Sequence, residues 1–152
     1  MAFQFPPVDA PDEARQRDLA QKLDASVPGR ALGRLGAIGA WVAGAQGADL
    51  PHPFTRARAV VVAGNHGIAQ RGVSAWQPDA ALAQAADAAA GGGPVNAAAR
   101  LAGAGVRLVE DFLAKPTGAI DIEPAMSAQA CADALQLGVN LADEEVDAGT
   151  DI

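Results

Sequence analysis

The sequence predicts an α/β chain in which alanine-rich helices cover a small parallel sheet. Val60-Val61-Val62 opens a β-branched run that feeds a small-residue loop, Gly64-Asn65-His66-Gly67. Gly105-Val106-Arg107-Leu108-Val109 repeats the strand-like composition, and Ala-rich stretches bounded by Pro and Gly lie between the two runs. Strands separated by helical stretches imply a parallel sheet with right-handed crossovers. The first run is apolar without alternation, as a strand covered on both faces should be. Half of the 152 residues are apolar, and about half of those are Ala. Ala is the best helix former but adds little buried area, so thin helices should pack closely on the sheet.

Each element has its own signal. Asp12 and Glu13 favour a helix start, and that helix should run to about Leu23. Ser26-Val27-Pro28-Gly29 reads as a turn. A second helix, from about Leu32 to Ala45, is expected to place Leu32, Leu35, Ile38 and Val42 along one face. The connector up to Pro53 is rich in breakers. Ala59 to Ala63 forms the first strand. Pro78 leads into a helix ending at Gly91-Gly92-Gly93, Pro94 restarts a helix through Leu101, and Gly103 closes it. Gly105 to Val109 is the second strand, and Asp111 to Ile122 should be irregular. Pro124 and Ser127 introduce a last helix with an apolar line of Cys131, Leu135, Val139, Ala142 and Val146, stopped by Gly149. The final residues read as the approach to another buried strand. The division expected is a helical region over 1–50 and an incomplete α/β domain over 51–152.

Composition narrows the function. Net charge is -7, and the eleven Lys and Arg residues form no stripe, which argues against nucleic-acid and anionic-membrane partners. Cys131, the single cysteine, makes no internal disulfide and is a poor start for a zinc site; neither metal nor cofactor is expected. The N-terminus lacks a basic then apolar leader pattern, and no apolar run approaches the ~18 residues of a membrane span. A cytoplasmic protein is expected. Ligands of open α/β sheets bind beyond the carboxyl ends of the strands, which directs attention to the loops after Val62.

Those loops carry a resemblance. Val60 to Gly67, followed by Arg71-Gly72-Val73-Ser74-Ala75-Trp76, is similar to the nicotinate-nucleotide:dimethylbenzimidazole phosphoribosyltransferases of cobalamin biosynthesis. Leu32-Gly33-Arg34-Leu35, Gly91-Gly92-Gly93-Pro94-Val95-Asn96 with Ala99-Arg100, Thr117 to Asp121, Pro124 to Ser127 and Ala142 to Gly149 resemble further blocks of that family, in the same order. The resemblance implies transfer of ribose phosphate from nicotinate mononucleotide to 5,6-dimethylbenzimidazole, giving α-ribazole phosphate. It implies attack by a benzimidazole nitrogen with inversion, a carboxylate general base and no metal. It also implies a Rossmann-like fold, a smaller domain partly built from the N-terminal helices, and a homodimer.

The resemblance assigns the substrate-binding candidates. Trp76 would stack on the flat base, or else cover an edge of the core. Gln84 would meet a ring nitrogen, or else be solvated among alanines. His66 would contact ligand or bond to backbone. Asn65, where the family has Asp, would cap its own loop, and Ser74 would hydrogen-bond within the loop, since no base is paired with it. No catalytic residue is assigned: the family's phosphate-binding block and catalytic glutamate lie beyond the matched stretch. The family's N-terminal Lys is missing from Val27-Pro28-Gly29-Arg30-Ala31, Asp111 to Pro116 is short, and Gln77-Pro78 transposes a proline. Asp143, Glu144 and Asp147 read as a solvated helix face. Two readings follow: the N-terminal part of this transferase, inactive alone, or a non-catalytic benzimidazole-binding or dimerising module derived from it. An unrelated nucleotide-binding domain would need G-x-G-x-x-G after a strand, and Gly33, Gly36 and Gly39 do not follow one.

Overall fold

The computed structural model describes residues 3–152. The chain divides into two compact units, Phe5–Phe54 and a second built on Thr55–Ile152.

The first unit is helical. Helix α1, Glu13–Asp24, starts where the Asp12 carboxylate accepts the backbone N–H groups of Ala14 and Arg15 at 3.0 and 3.1 Å, satisfying donors that a helix start leaves free. Ser26 and Pro28, expected in a turn, instead open the short helix α2, Val27–Ala31, with Ser26 Oγ accepting from Gly29 N–H. Gly29 is required there: a Cβ at this position would overlap the Leu23 carbonyl. Helix α3, Arg34–Gln46, ends on Gly47 in the left-handed region, φ 62°, the usual glycine stop.

The buried face of α3 differs from the expected one. Gly36, Ala40, Val42, Ala43 and Gly44 are buried, while Leu32, Leu35 and Ile38 are exposed, Leu35 by 68%. Small residues win because α1 and α3 approach closely. The Asp12 N–H donates to the Gly44 carbonyl at 2.9 Å, and a Cβ on Gly44 would lie 2.8 Å from the Asp12 carbonyl oxygen. Leu19, Ala40 and Ala43 form the core, with Ala20 and Leu23 against it.

The second unit holds two parallel strands, β1 (Arg58–His66) and β2 (Gly105–Thr117). Their register pairs Val60 with Arg107 and Val62 with Val109. Between the pairs Val62–Val109 and Gly64–Phe112, and again up to His66–Thr117, β2 carries extra residues. The stretch from Asp111, expected to be irregular, therefore continues as a bulged strand to Thr117. A 3₁₀ turn, Gly67–Arg71, then α4 (Ala80–Ala89) and α5 (Gly93–Ala102) join the strands. The α4–α5 turn uses positive φ at Gly91 and Gly93, 81° and 73°.

Side-chain alternation places Arg58, Val60 and Val62 on one face of β1 with Arg107 and Val109 of β2. Helix α6, Ala128–Asp147, meets that face through Glu144 and Glu145. Covering of both faces, expected from the apolar run, is incomplete, since Val62 is 54% exposed. The buried side of α6 is also turned from the expected line. Leu141 and Glu145 are buried, whereas Cys131 is exposed and Val146 is 71% exposed.

A charge cluster sets that rotation. Glu145, 8% exposed, accepts from Arg107 Nη1 at 3.0 Å and Thr150 Oγ1 at 2.7 Å, and pairs with Arg58 Nε at 3.2 Å. Glu144, expected to be solvated, pairs with Arg107 Nη2 at 2.5 Å. The Thr150 hydroxyl, then Arg107, hold the Glu145 carboxyl below its ordinary range. Beyond α6, the Asp151 carboxylate accepts the Thr55 and Arg56 N–H groups at 2.6 and 3.0 Å; the Thr55 bond is the chief cause of its lowered pKa. The Arg58 N–H donates to the Ile152 carbonyl, while the Ala57 carbonyl accepts from Gly105 N–H, each at 2.9 Å. Those two groups belong to one peptide unit and point opposite ways, so Ile152 lies on the edge of β1 away from β2. It adds no assigned strand: the sheet is two-stranded among the described residues.

Candidate functional site

A cavity of about 660 Å³ opens at the carboxyl end of β1, within the size range of small-molecule sites. Its floor is strand: Val61 to Gly64 of β1 and Leu108 of β2. One wall is the face of α4 carrying Ala81, Gln84, Ala85 and Ala88, at the spacing that keeps residues on one side of a helix. The start of α5, Gly93-Pro94-Val95, closes another side. Apolar and small side chains dominate, and the polar contributions come from His66, Trp76, Gln84 and Asp87.

The loop after β1 delivers two of these. His66 ends β1, and its N–H donates to Asn65 Oδ1 at 3.0 Å. Gly67 then packs against the end of β2 so closely that a Cβ would lie 2.5 Å from the Thr117 carbonyl oxygen. Gly72, at φ 71°, closes the 3₁₀ turn. Arg71 pairs with Asp121 at 3.5 Å. Further on, Ser74 Oγ accepts the Trp76 N–H at 3.1 Å. Trp76 sits at the rim, 69% exposed.

Of the five sequence candidates, His66, Trp76 and Gln84 therefore line one cavity. Asn65 and Ser74 lie beside it and hold the backbone of the residues that follow them. Asp87 lines the same cavity and was not singled out from sequence. The signal was available: it follows Gln84 by three residues on a helix, the spacing that brings side chains together.

The α4–α5 turn is pinned from within. Asn96 Nδ2 donates to the Ala88 and Gly92 carbonyls at 3.0 and 2.7 Å, and Arg100 Nη1 donates to the Gly91 carbonyl at 2.9 Å. Gly91 to Gly93 thus form a fixed corner of the cavity. A second cavity of about 490 Å³ lies between the bulged end of β2 and α6, with Phe112, Lys115, Met126 and Leu137 among its walls. It holds none of the five candidates. Among the described residues, no helix is long and apolar enough to cross a membrane, and no group of three or more His, Cys, Asp or Glu could hold a metal ion.

Known proteins share this sequence and architecture. The nicotinate-nucleotide–dimethylbenzimidazole phosphoribosyltransferase of Mycobacterium ulcerans (strain Agy99) is 41% identical over 163 residues, covering 97% of this chain and 46% of its own length. The protein of the same name from Corynebacterium efficiens is 37% identical, covering 97% of this chain and 43% of its own length. The crystal structure of CobT from Thermus thermophilus superposes with a TM-score of 0.77 at 27% identity, covering 90% of this chain and 45% of that one. The chain thus spans about half the length of the curated relatives it matches. A family model described as phosphoribosyltransferase matches residues 8–152, and the chain belongs to that phosphoribosyltransferase family.

Proposed function

We propose that the chain is the N-terminal part of an enzyme that moves ribose phosphate from nicotinate mononucleotide to 5,6-dimethylbenzimidazole, forming α-ribazole phosphate. The observation that carries this reading is the convergence of Trp76, His66 and Gln84 on one cavity in a chain of this family. In this reading the cavity takes the base. Trp76 stacks on the bicyclic ring, the Gln84 amide meets a ring nitrogen, and His66 borders the ring edge. Asn65 and Ser74 set the loop that presents His66 and Trp76. The unit over 55–152 acts as the Rossmann-like part and the helices before it as a smaller subdomain, in a cytoplasmic homodimer. The general base and phosphate loop that the resemblance implies have no counterpart among these 152 residues, so the chain by itself binds base without turnover.

Titration calorimetry with 5,6-dimethylbenzimidazole tests this. Saturable binding is expected, weakened in Trp76→Ala by roughly 5- to 150-fold, since stacking of a base on an aromatic side chain is worth about 1–3 kcal/mol. No binding by a folded sample would overturn the base site, and turnover by a pure sample would overturn the expected inactivity. A second reading, a non-catalytic benzimidazole-binding module, is favoured by Asn65, whose neutral amide oxygen is occupied by the His66 N–H.

A further inference from the structure

We infer that Arg71 is a positioning residue for the base cavity: paired with Asp121, it latches the loop that carries Trp76 to the turn after β2. The inference rests on the base-site reading and deepens it. The chain leaves β1 at His66 and passes through the 3₁₀ turn Gly67–Arg71 into the loop that holds Trp76. The near end of that turn is fixed by packing, since a Cβ on Gly67 would lie 2.5 Å from the Thr117 carbonyl oxygen and 3.0 Å from the Ala119 nitrogen. Its far end is held by charge: Arg71 Nε lies 3.5 Å from Asp121 Oδ2. Both contacts reach the same stretch, the end of β2 and the turn that follows it.

Asp121 can serve as an anchor because the backbone around it is closed by hydrogen bonds. The Ile122 and Glu123 N–H groups donate to the Ala119 carbonyl, each at 2.9 Å, and the Gly118 N–H donates to the Ala125 carbonyl at 2.8 Å. The loop on the other side of the pair is tied far less. Between Val73 and Gln77, the hydrogen bonds among the described residues run from the Trp76 N–H to Ser74 Oγ and from the Ala80 N–H to the Gln77 carbonyl. The first stays inside the loop and the second belongs to the start of α4, so neither ties Trp76 to the sheet. Gly72, at φ 71°, adds backbone freedom directly after the turn. Trp76 therefore takes its place at the rim from the point where Arg71 is held. The two side chains are 48% and 45% exposed, which makes the latch a light one: an exposed ion pair corresponds to a change in base affinity of about 1.5- to 5-fold.

The test is a double-mutant cycle on the 152-residue chain. Parent, Arg71→Ala, Asp121→Ala and the double variant are each titrated with 5,6-dimethylbenzimidazole and checked for fold by circular dichroism. If a truncation disturbs the fold, Arg71→Gln and Asp121→Asn, which keep size without charge, replace it. The base carries no anionic group, so a loss is not that of a contact from Arg71 to phosphate. Each single variant should bind about 1.5- to 5-fold more weakly, and the double variant no more weakly than either single one. The same four chains in a Trp41→Phe background keep Trp76 as their one tryptophan. Its fluorescence anisotropy without ligand should fall to a common lower value in all three variants, as the loop gains nanosecond mobility. Equal affinities across the cycle, losses that add, or an unchanged anisotropy overturns the inference and leaves the base site standing. A parent that binds no base overturns the base site, and the anisotropy still decides whether Arg71 and Asp121 hold the loop.

Discussion

Removing the Asn96 amide should loosen the cavity from behind without touching anything inside it. Its Nδ2 donates two hydrogen bonds, at 3.0 Å to Ala88 and 2.7 Å to Gly92, from a half-buried position. Each such bond contributes about 0.5–1.5 kcal/mol net, so Asn96→Ala should cost about 2 kcal/mol in all. For a unit of this size that corresponds to a fall in melting temperature of roughly 8–16 °C. Asn96→Asp is the sharper variant. It preserves shape but presents a carboxylate, which can only accept, to two carbonyl oxygens, so it should melt no higher than the alanine variant. Base affinity should weaken in both, because Ala88, Gly93, Pro94 and Val95 wall the cavity. Thermal melts followed by circular dichroism, with titrations alongside, read both effects. An aspartate variant as stable as the parent would refute the reasoning, since it would mean that the amide donor does not hold the turn.

Two further outcomes concern the rest of the molecule. Leu19→Ala removes the largest side chain of a core otherwise made of Ala40 and Ala43; a loss of about 3–5 kcal/mol should make α1 open to limited proteolysis, and an unchanged digestion pattern would count against that core. Glu145 and Asp151 have lowered pKa values when folded. Their contribution to stability is therefore complete above the unfolded values of about 4 and lost as pH falls through the folded ones. The melting temperature should hold from pH 7 to about 5 and drop below about 4, with a shallower drop in Glu145→Gln. Parallel pH profiles for parent and variant would exclude Glu145 as a source of that drop.

Local signals were legible in the sequence. Asp12, Ser127, Pro94 and Gly103 announce helix ends because capping is settled within a few residues. The faces that pack were not. In α3 the large apolar side chains point away from α1, because the contact is made by glycine and alanine at close range. In α6 the buried face follows Glu145, whose arginine partners sit far away in sequence on β1 and β2. The end of β2 was hidden because Asp111, Lys115 and Pro116 look like loop, and only register with Gly64 and His66 makes them strand. His66, Trp76 and Gln84 were readable through the family resemblance, and consecutive elements bring them to one cavity. Asp87 was readable as well, three residues beyond Gln84 on the same helix.

The outward edge of β1 has a consequence for how these 152 residues, taken by themselves, behave in bulk. Past the single bond from Arg58 to Ile152, the backbone N–H and C=O groups of Val60 and Val62 on that side are unclaimed among the described residues, beside side chains only partly covered. An open strand edge of this kind is a template on which extended segments assemble. The neighbouring Arg58 is drawn toward Glu145, and the valine run itself carries no charge to discourage association. Colloidal stability thus rests on the overall charge of -7 more than on any local guard, and shielding that charge with salt exposes the strand to its own copies.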